Sequence, residues 1–374
     1  MQFHFFHLMP WTTYPEPPVE WPVSNKSFDP VRGQQLYRDY IDSMVYAEAC
    51  GFDAIGCNEH HFSPYGLMSN CNVIGGALVY RTSNAKLAMF GNLVPLLNPI
   101  RVAEEYAMLD VMSGGRVIAG FMRGIPHEYI AYNIPPSESR ARLREASALI
   151  IKAWTEPEPF GWEGEFYQFP SVAIWPKPFQ KPHPPVLMSA SNEESAEFAA
   201  AHRAMMGVSL IADLNLVKAN IAAYKKAARA HGWEPGPQHI LIGEQAVIAD
   251  TDEEAHELMK GGLDYFHRIL MRPQRDAQSL VLEKTRYFDE AGQGERFQKR
   301  LATLRSRTFE EQIEAGSILC GSPKTVVKQI KRIHDVLGMG VVQLILKIGN
   351  LSDAAVRKSL ELFRDKVLPE VRGL

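Results

Sequence analysis

Four short clusters hold the side chains that could do chemistry: Glu59-His60-His61-Phe62, Gly91-Asn92, Met122-Arg123-Gly124 and Ser191-Asn192, with Arg140 and Ser195 a little further along. Histidine is the side chain whose ordinary pKa lies nearest working pH, so one of the pair is a candidate for general acid–base work. A hydrogen-bonded structural histidine is the plainer alternative. Adjacent histidines also invite a metal reading, but neighbours on an extended chain point to opposite sides and cannot readily share one ion. The further ligands that a barrel metallohydrolase needs at later strand ends are missing as well, so no metal is expected. Glu59 is either a partner that orients this site or a buried, satisfied carboxylate.

Arg123 closes an apolar run, and a buried arginine needs an anion. That anion is Glu59, another structural carboxylate, or a ligand phosphate. Arg140, which opens the next helical stretch, poses the same question; a solvated arginine on a helix face is its plain reading. Ser191, Asn192 and Ser195 sit where a strand turns into a helix. They could cap that helix, a contribution of about 1 kcal/mol. The same N–H groups and hydroxyls also suit an anion, and beside two arginines the phosphate reading gains.

The elements that must carry these clusters follow from periodicity. Short apolar runs alternate with helical stretches, the βαβα pattern of a parallel sheet. Strands are expected at 2–8, 53–58, 86–92, 116–122, 186–190, 204–210, 240–249 and 341–347. Helices are expected at 34–51, 100–112, 139–154, 215–231 and 324–337, the second ended by Gly114-Gly115 in a left-handed cap. Eight strands with interposed helices predict a closed (β/α)8 barrel; a doubly wound open sheet is the competing architecture. Each cluster then follows a strand, and the strands before them are neighbours, so the side chains converge on one sector of the C-terminal mouth.

Residues 155–185 are rich in proline and aromatics and read as an extended surface excursion. Two connections are unusually long: 9–33 after strand one, with Trp11, Tyr14 and Trp21, and 263–310 between strands seven and eight. Long insertions in compact domains are usually functional, and both are expected as a lid within a single 1–374 domain. With the excursion around 160–175, their aromatics suggest an apolar or aromatic pocket wall, although aromatic loops also pack on themselves.

Composition narrows the class. A net charge of −3 with interspersed signs marks no nucleic-acid or anionic-membrane partner. No apolar run approaches a membrane span, and Met1–Trp11 lacks the basic start and cleavage site of a signal peptide. Cys50, Cys57, Cys71 and Cys320 form no CxxC pair, as expected of reduced, buried thiols in a cytoplasmic protein.

Cys50-Gly51-Phe52-Asp53 followed by Glu59-His60-His61-Phe62 resembles the start of bacterial luciferase α-type chains and their flavin monooxygenase relatives. The resemblance continues through Pro95, Pro99 to Glu104, Asp110 to Arg116, Arg123-Gly124, Ser139-Arg140, Pro185 to Ala200 and Gly321-Ser322-Pro323, leaving out the two insertions. It implies that His60 is the catalytic histidine and Glu59 the carboxylate beside the flavin. It also implies that Phe90, Gly91 and Asn92 supply the backbone under the flavin ring, with a non-proline cis peptide there. Arg123, Arg140, Ser191, Asn192 and Ser195 match positions that hold the FMN phosphate. Met122 stands where luciferase has a reactive cysteine and Ser191 replaces a glutamate, so neither light emission nor an aldehyde substrate follows.

The chemistry implied is that of a monooxygenase. Reduced FMN from a separate flavin reductase would react with dioxygen to a flavin 4a-hydroperoxide, which oxygenates a small apolar or aromatic organic substrate. A homodimer or heterodimer is the assembly that the resemblance implies. A deazaflavin-dependent oxidoreductase of the same fold and a non-catalytic flavin-binding protein are the rivals.

Overall fold

The computed structural model describes the 374-residue chain except residues 15–20, 210, 212, 285–298, 300, 301 and 303–305, and the side chains of 280 and 282–284. Its strands are β1 (Gln2–Phe6), β2 (Ala54–Cys57), β3 (Lys86–Met89), β4 (Val117–Phe121), β5 (Phe160–Glu163), β6 (Gln168–Val172), β7 (Val186–Ser189), β8 (Met205–Ser209), β9 (Ile240–Ile248), β10 (Ile318–Gly321) and β11 (Val341–Ile345). Eight of them form a ring in the order β1-β2-β3-β4-β7-β8-β9-β11 and back to β1, every pairing parallel. This is the expected (β/α)8 barrel, and the closure excludes an open sheet.

The strands are buried on both faces, as parallel sheets are. In β1 the alternation sorts two layers: Phe3 and Phe5 meet Phe363 and Phe52 outside the ring, while His4 and Phe6 stack toward Phe90. The helices of this outer layer are α1 (Pro30–Ala49), α2 (Cys71–Val79), α3 (Pro99–Ser113), α4 (Pro126–Ala131), α5 (Ser139–Thr155), α6 (Glu193–Ala201), α7 (Leu214–Ala230), α8 (Asp252–Tyr265), α9 (Arg272–Lys284), α10 (Phe309–Ala315), α11 (Pro323–Leu337), α12 (Asp353–Leu362) and α13 (Leu368–Val371). Their ends obey local chemistry. Asn98 accepts the Ile100 and Arg101 N–H groups ahead of Pro99, and Gly114 closes α3 at φ 65°.

Three expectations need correction. Strands end up to three residues before the apolar runs do, because residues 7–8, 90–92, 122 and 346–347 leave the ladders at the rim and pack there instead. Strand β10 was not expected: it pairs with the far half of β9, from Ile318↔Gln245 to Gly321↔Ile248, beyond the part that pairs with β8. Its four residues are too few to show a period. Finally, 160–172, expected as an extended excursion, forms an antiparallel hairpin of β5 and β6. Glu145 of α5 holds it, accepting from Trp162 Nε1 and from the Phe166 and Tyr167 N–H groups. Trp175 is 87% exposed.

The described parts of the two long connections meet each other. Tyr265 OH donates to the Trp11 carbonyl and accepts the Tyr14 N–H, Gln274 Nε2 donates to Ser63 Oγ, and Trp21 stacks near Phe62. Trp11 itself is buried against Phe28. Residues 15–20 and much of 285–305 lie outside the described residues, so the expected lid is described only at its edges.

Candidate active site

Loops after β2, β3 and β4, together with α4, bring the histidine clusters together. His60 and His61 diverge, as extended neighbours must. His60 Nδ1 lies 3.0 Å from Glu128 Oε1. His61 lies between Tyr132 OH at 3.1 Å from Nδ1 and Glu59 Oε1 at 3.4 Å from Nε2. Both nitrogens of His61 are thus occupied and its ring is buried, whereas the His60 ring is 19% exposed. Edge contact with Tyr65 at 4.6 Å steadies the His60 ring. Glu59 is the satisfied, buried partner of His61 rather than of His60.

Glu128, Tyr132 and His127 escaped the sequence reading. They follow Arg123 in a stretch whose one visible signal is Pro126, the first residue of α4. Burial alone pushes the Glu128 carboxyl up, but the hydrogen bond and charge of His60, the charge of His127 and the Ile125 N–H outweigh it and hold it below the ordinary range. Burial pushes His127 down to about 4, with Glu128 opposing.

The backbone after β3 lies hard against that after β2. A Cβ on Gly91 would sit 2.5 Å from the Asn58 carbonyl carbon, so only glycine fits. Asn92 exchanges two amide hydrogen bonds with Asn72, at 2.9 and 3.0 Å, and Asn72 also donates to Glu105. Met122 N–H donates to the Asn92 carbonyl, which ties the third cluster to the second. The cis peptides among the described residues all precede proline. The expected non-proline cis bond at 90–92 is therefore absent: trans is favoured by about 3 kcal/mol, and the trans chain already meets its hydrogen bonds to Cys57 and Met122.

Arg123 has a buried Nη1, and its carbonyl accepts from Tyr129 OH. Arg140 donates to Glu194, which Arg144 also reaches at 2.5 Å. Asn192 caps α6, accepting the Ser195 N–H at 2.9 Å, and Ser195 Oγ returns to the Asn192 backbone N–H. The capping reading of this cluster is thus met, and Arg140 and Arg144 reach α6 through the Glu194 carboxylate. Ser191 is exposed next to the cap.

The Asn58 amide is buried and finds no partner among the described residues. It adjoins the Gly91 cradle, where an amide complements the C=O/N–H/C=O edge of a flavin ring. The residues present fit such a cofactor.

A luciferase-like monooxygenase family model matches residues 4–339. The barrel and this site thus define a chain that belongs to the luciferase-like monooxygenase family, an oxidoreductase by class. Among particular relatives, it is similar to the alkanal monooxygenase alpha chain of Photobacterium leiognathi, at 25% identity over 91% of this chain and 94% of that one. A monooxygenase structure from Streptomyces bottropensis superposes with TM-score 0.77 at 26% identity, covering 99% of both chains. The same fold occurs in a 3,6-diketocamphane monooxygenase component from Pseudomonas putida in complex with FMN (TM-score 0.77, 21% identity, 99% of both chains). It also occurs in an F420-dependent secondary alcohol dehydrogenase (TM-score 0.69, 16% identity, 99% of both chains).

Proposed function

We propose that this protein is the oxygenase component of a two-component monooxygenase, which takes reduced FMN from a separate reductase and inserts oxygen into a small apolar or aromatic molecule. The carrying observation is the convergence at one mouth of a partly exposed histidine, an unpartnered buried amide and a glycine cradle. The Asn58 amide would meet the polar edge of the ring, over the backbone of Phe90, Gly91 and Asn92. Arg123, Arg140, Ser191, Asn192 and Ser195 would hold the phosphate, which must compete with Glu194 for Arg140. Bound reduced FMN supplies the two electrons that reduce dioxygen, one oxygen atom going to substrate and the other leaving as water.

His60 moves the proton at its exposed side, while Glu59 and His61 brace the wall behind it. Phe62 is 55% exposed at a φ of 55° and Tyr132 is 39% exposed; with Trp21 they offer an aromatic surface for an apolar substrate. The described edges of the two long connections reach the loop after β2 and would help to shield the mouth. Exclusion of water there protects coupling.

The test mixes the protein with reduced FMN, reduced riboflavin or reduced deazaflavin in air, with a panel of apolar organic compounds and a generic flavin reductase. Dioxygen-dependent product with reduced FMN is expected. Hydride transfer with deazaflavin and no dioxygen uptake would overturn the proposal, as would flavin binding without turnover of any compound.

A further inference from the structure

We infer that Glu128 is a positioning residue that fixes which nitrogen of His60 faces the reacting molecules; this rests on the reading of His60 as the proton-transferring group. The geometry is over-determined. Glu128 is fully buried on α4, its Oε1 lies 3.0 Å from His60 Nδ1, and its Oε2 accepts the Ile125 N–H at 2.8 Å. Its own backbone is tied at both ends, N–H to the Ile125 carbonyl and carbonyl to the Tyr132 N–H. Neighbouring Tyr129 anchors the same turn to the Arg123 carbonyl. A carboxylate cannot choose its rotamer freely in such a place.

An ionised carboxylate only accepts hydrogen bonds. Nδ1 of His60 must therefore carry the proton, and in the neutral ring the lone pair lies on Nε2. No described residue bonds to that nitrogen, while His61 has both of its nitrogens engaged. The same arrangement of carboxylate, Nδ1–H and free Nε2 orients histidines in acid–base catalysis generally. The charged and titratable groups around the pair are Glu59, His61, Tyr65, His127 and Tyr132. Of these, His127 is held neutral by burial and does not compensate for loss of Glu128.

Histidine-selective 15N NMR on the cofactor-free protein reads the tautomer directly. Wild type should show the neutral His60 ring protonated at Nδ1. Glu128→Ala should shift the ring toward the Nε2–H form that free histidine prefers. Product formed per reduced FMN oxidised should fall ten- to a hundredfold in Glu128→Ala, with reduced-FMN affinity within about twofold of wild type.

A wild-type His60 carrying its proton on Nε2 overturns the inference even if no variant folds. So does a tautomer that Glu128→Ala leaves unchanged, even where His60→Ala abolishes product. If the tautomer shifts as expected but His60→Ala turns over normally, Glu128 still positions His60 and the proposed function of that histidine fails instead.

Discussion

The histidine corner and the arginine–serine corner of the mouth are built on different principles. Around His60 and His61, polar groups are buried and matched in pairs by residues from separate elements, Glu128 from α4 and Glu59 from the end of β2. Around α6, the shared carboxylate lies nearer the surface: Arg140 and Arg144 both reach Glu194, which is 35% exposed, and Asn192 and Ser195 close a cap on each other. Exposed ion pairs contribute little and rearrange easily, whereas a buried pair holds one geometry because breaking it strands a charge. A corner that must place a proton to within tenths of an ångström suits the first design. One that, on the proposed function, would yield to an incoming phosphate suits the second.

The largest effect that could break this contrast concerns His60. His60→Ala should keep its reduced-FMN affinity at a cost in melting temperature, since it strands Glu128, while product formation falls by about two to four orders of magnitude and dioxygen consumption continues as hydrogen peroxide. His61→Ala, which strands Glu59, should also lose stability or flavin affinity but cost less in product formation. Product, peroxide and melting temperature measured on both variants decide the matter. Coupled turnover surviving in His60→Ala but not in His61→Ala would reverse the assignment.

Acidification should then separate the corners. Burial lowers His4 and His127 from 6.5 to about 4. Folded pKa values below the unfolded one mean that the stability is whole above pH 6.5 and drains away as pH falls toward 4. At pH 5 each neutral ring accounts for a loss of about 2 kcal/mol. Hydrogen exchange between pH 8 and 5 should therefore rise around residues 57–66 and 121–132 before it rises around 190–196. Uniform exchange across both would mean that the corners are not independently built.

Arg123→Ala should weaken reduced FMN ten- to a hundredfold more than reduced riboflavin, the range of about 1.5–3 kcal/mol for a charge-assisted contact. Equal losses for both flavins in a binding titration would make Arg123 structural. The smallest effect belongs to the cap. Asn192→Ala should cost about 1 kcal/mol in chemical denaturation and spare the His60 tautomer altogether.

Local pattern alone determined much of this protein. Alternation of apolar runs and helical stretches set the eight ring strands; Asn192 before a helix and Gly114 after one set the caps; adjacency of His60 and His61 forced them apart. These features depend on residues a few positions away, which is the range over which backbone geometry imposes a period. The tertiary structure decided the partners. Glu128 lies 68 positions from His60 and Glu194 lies 54 from Arg140, and no spacing in the chain announces either pair. Nor did composition tell that the aromatics of β5 and β6 belong to Glu145 rather than to the mouth. Closing the barrel brings strand ends together in an order that only the full set of ladders fixes. The charge that faces a given histidine or arginine is settled by that closure.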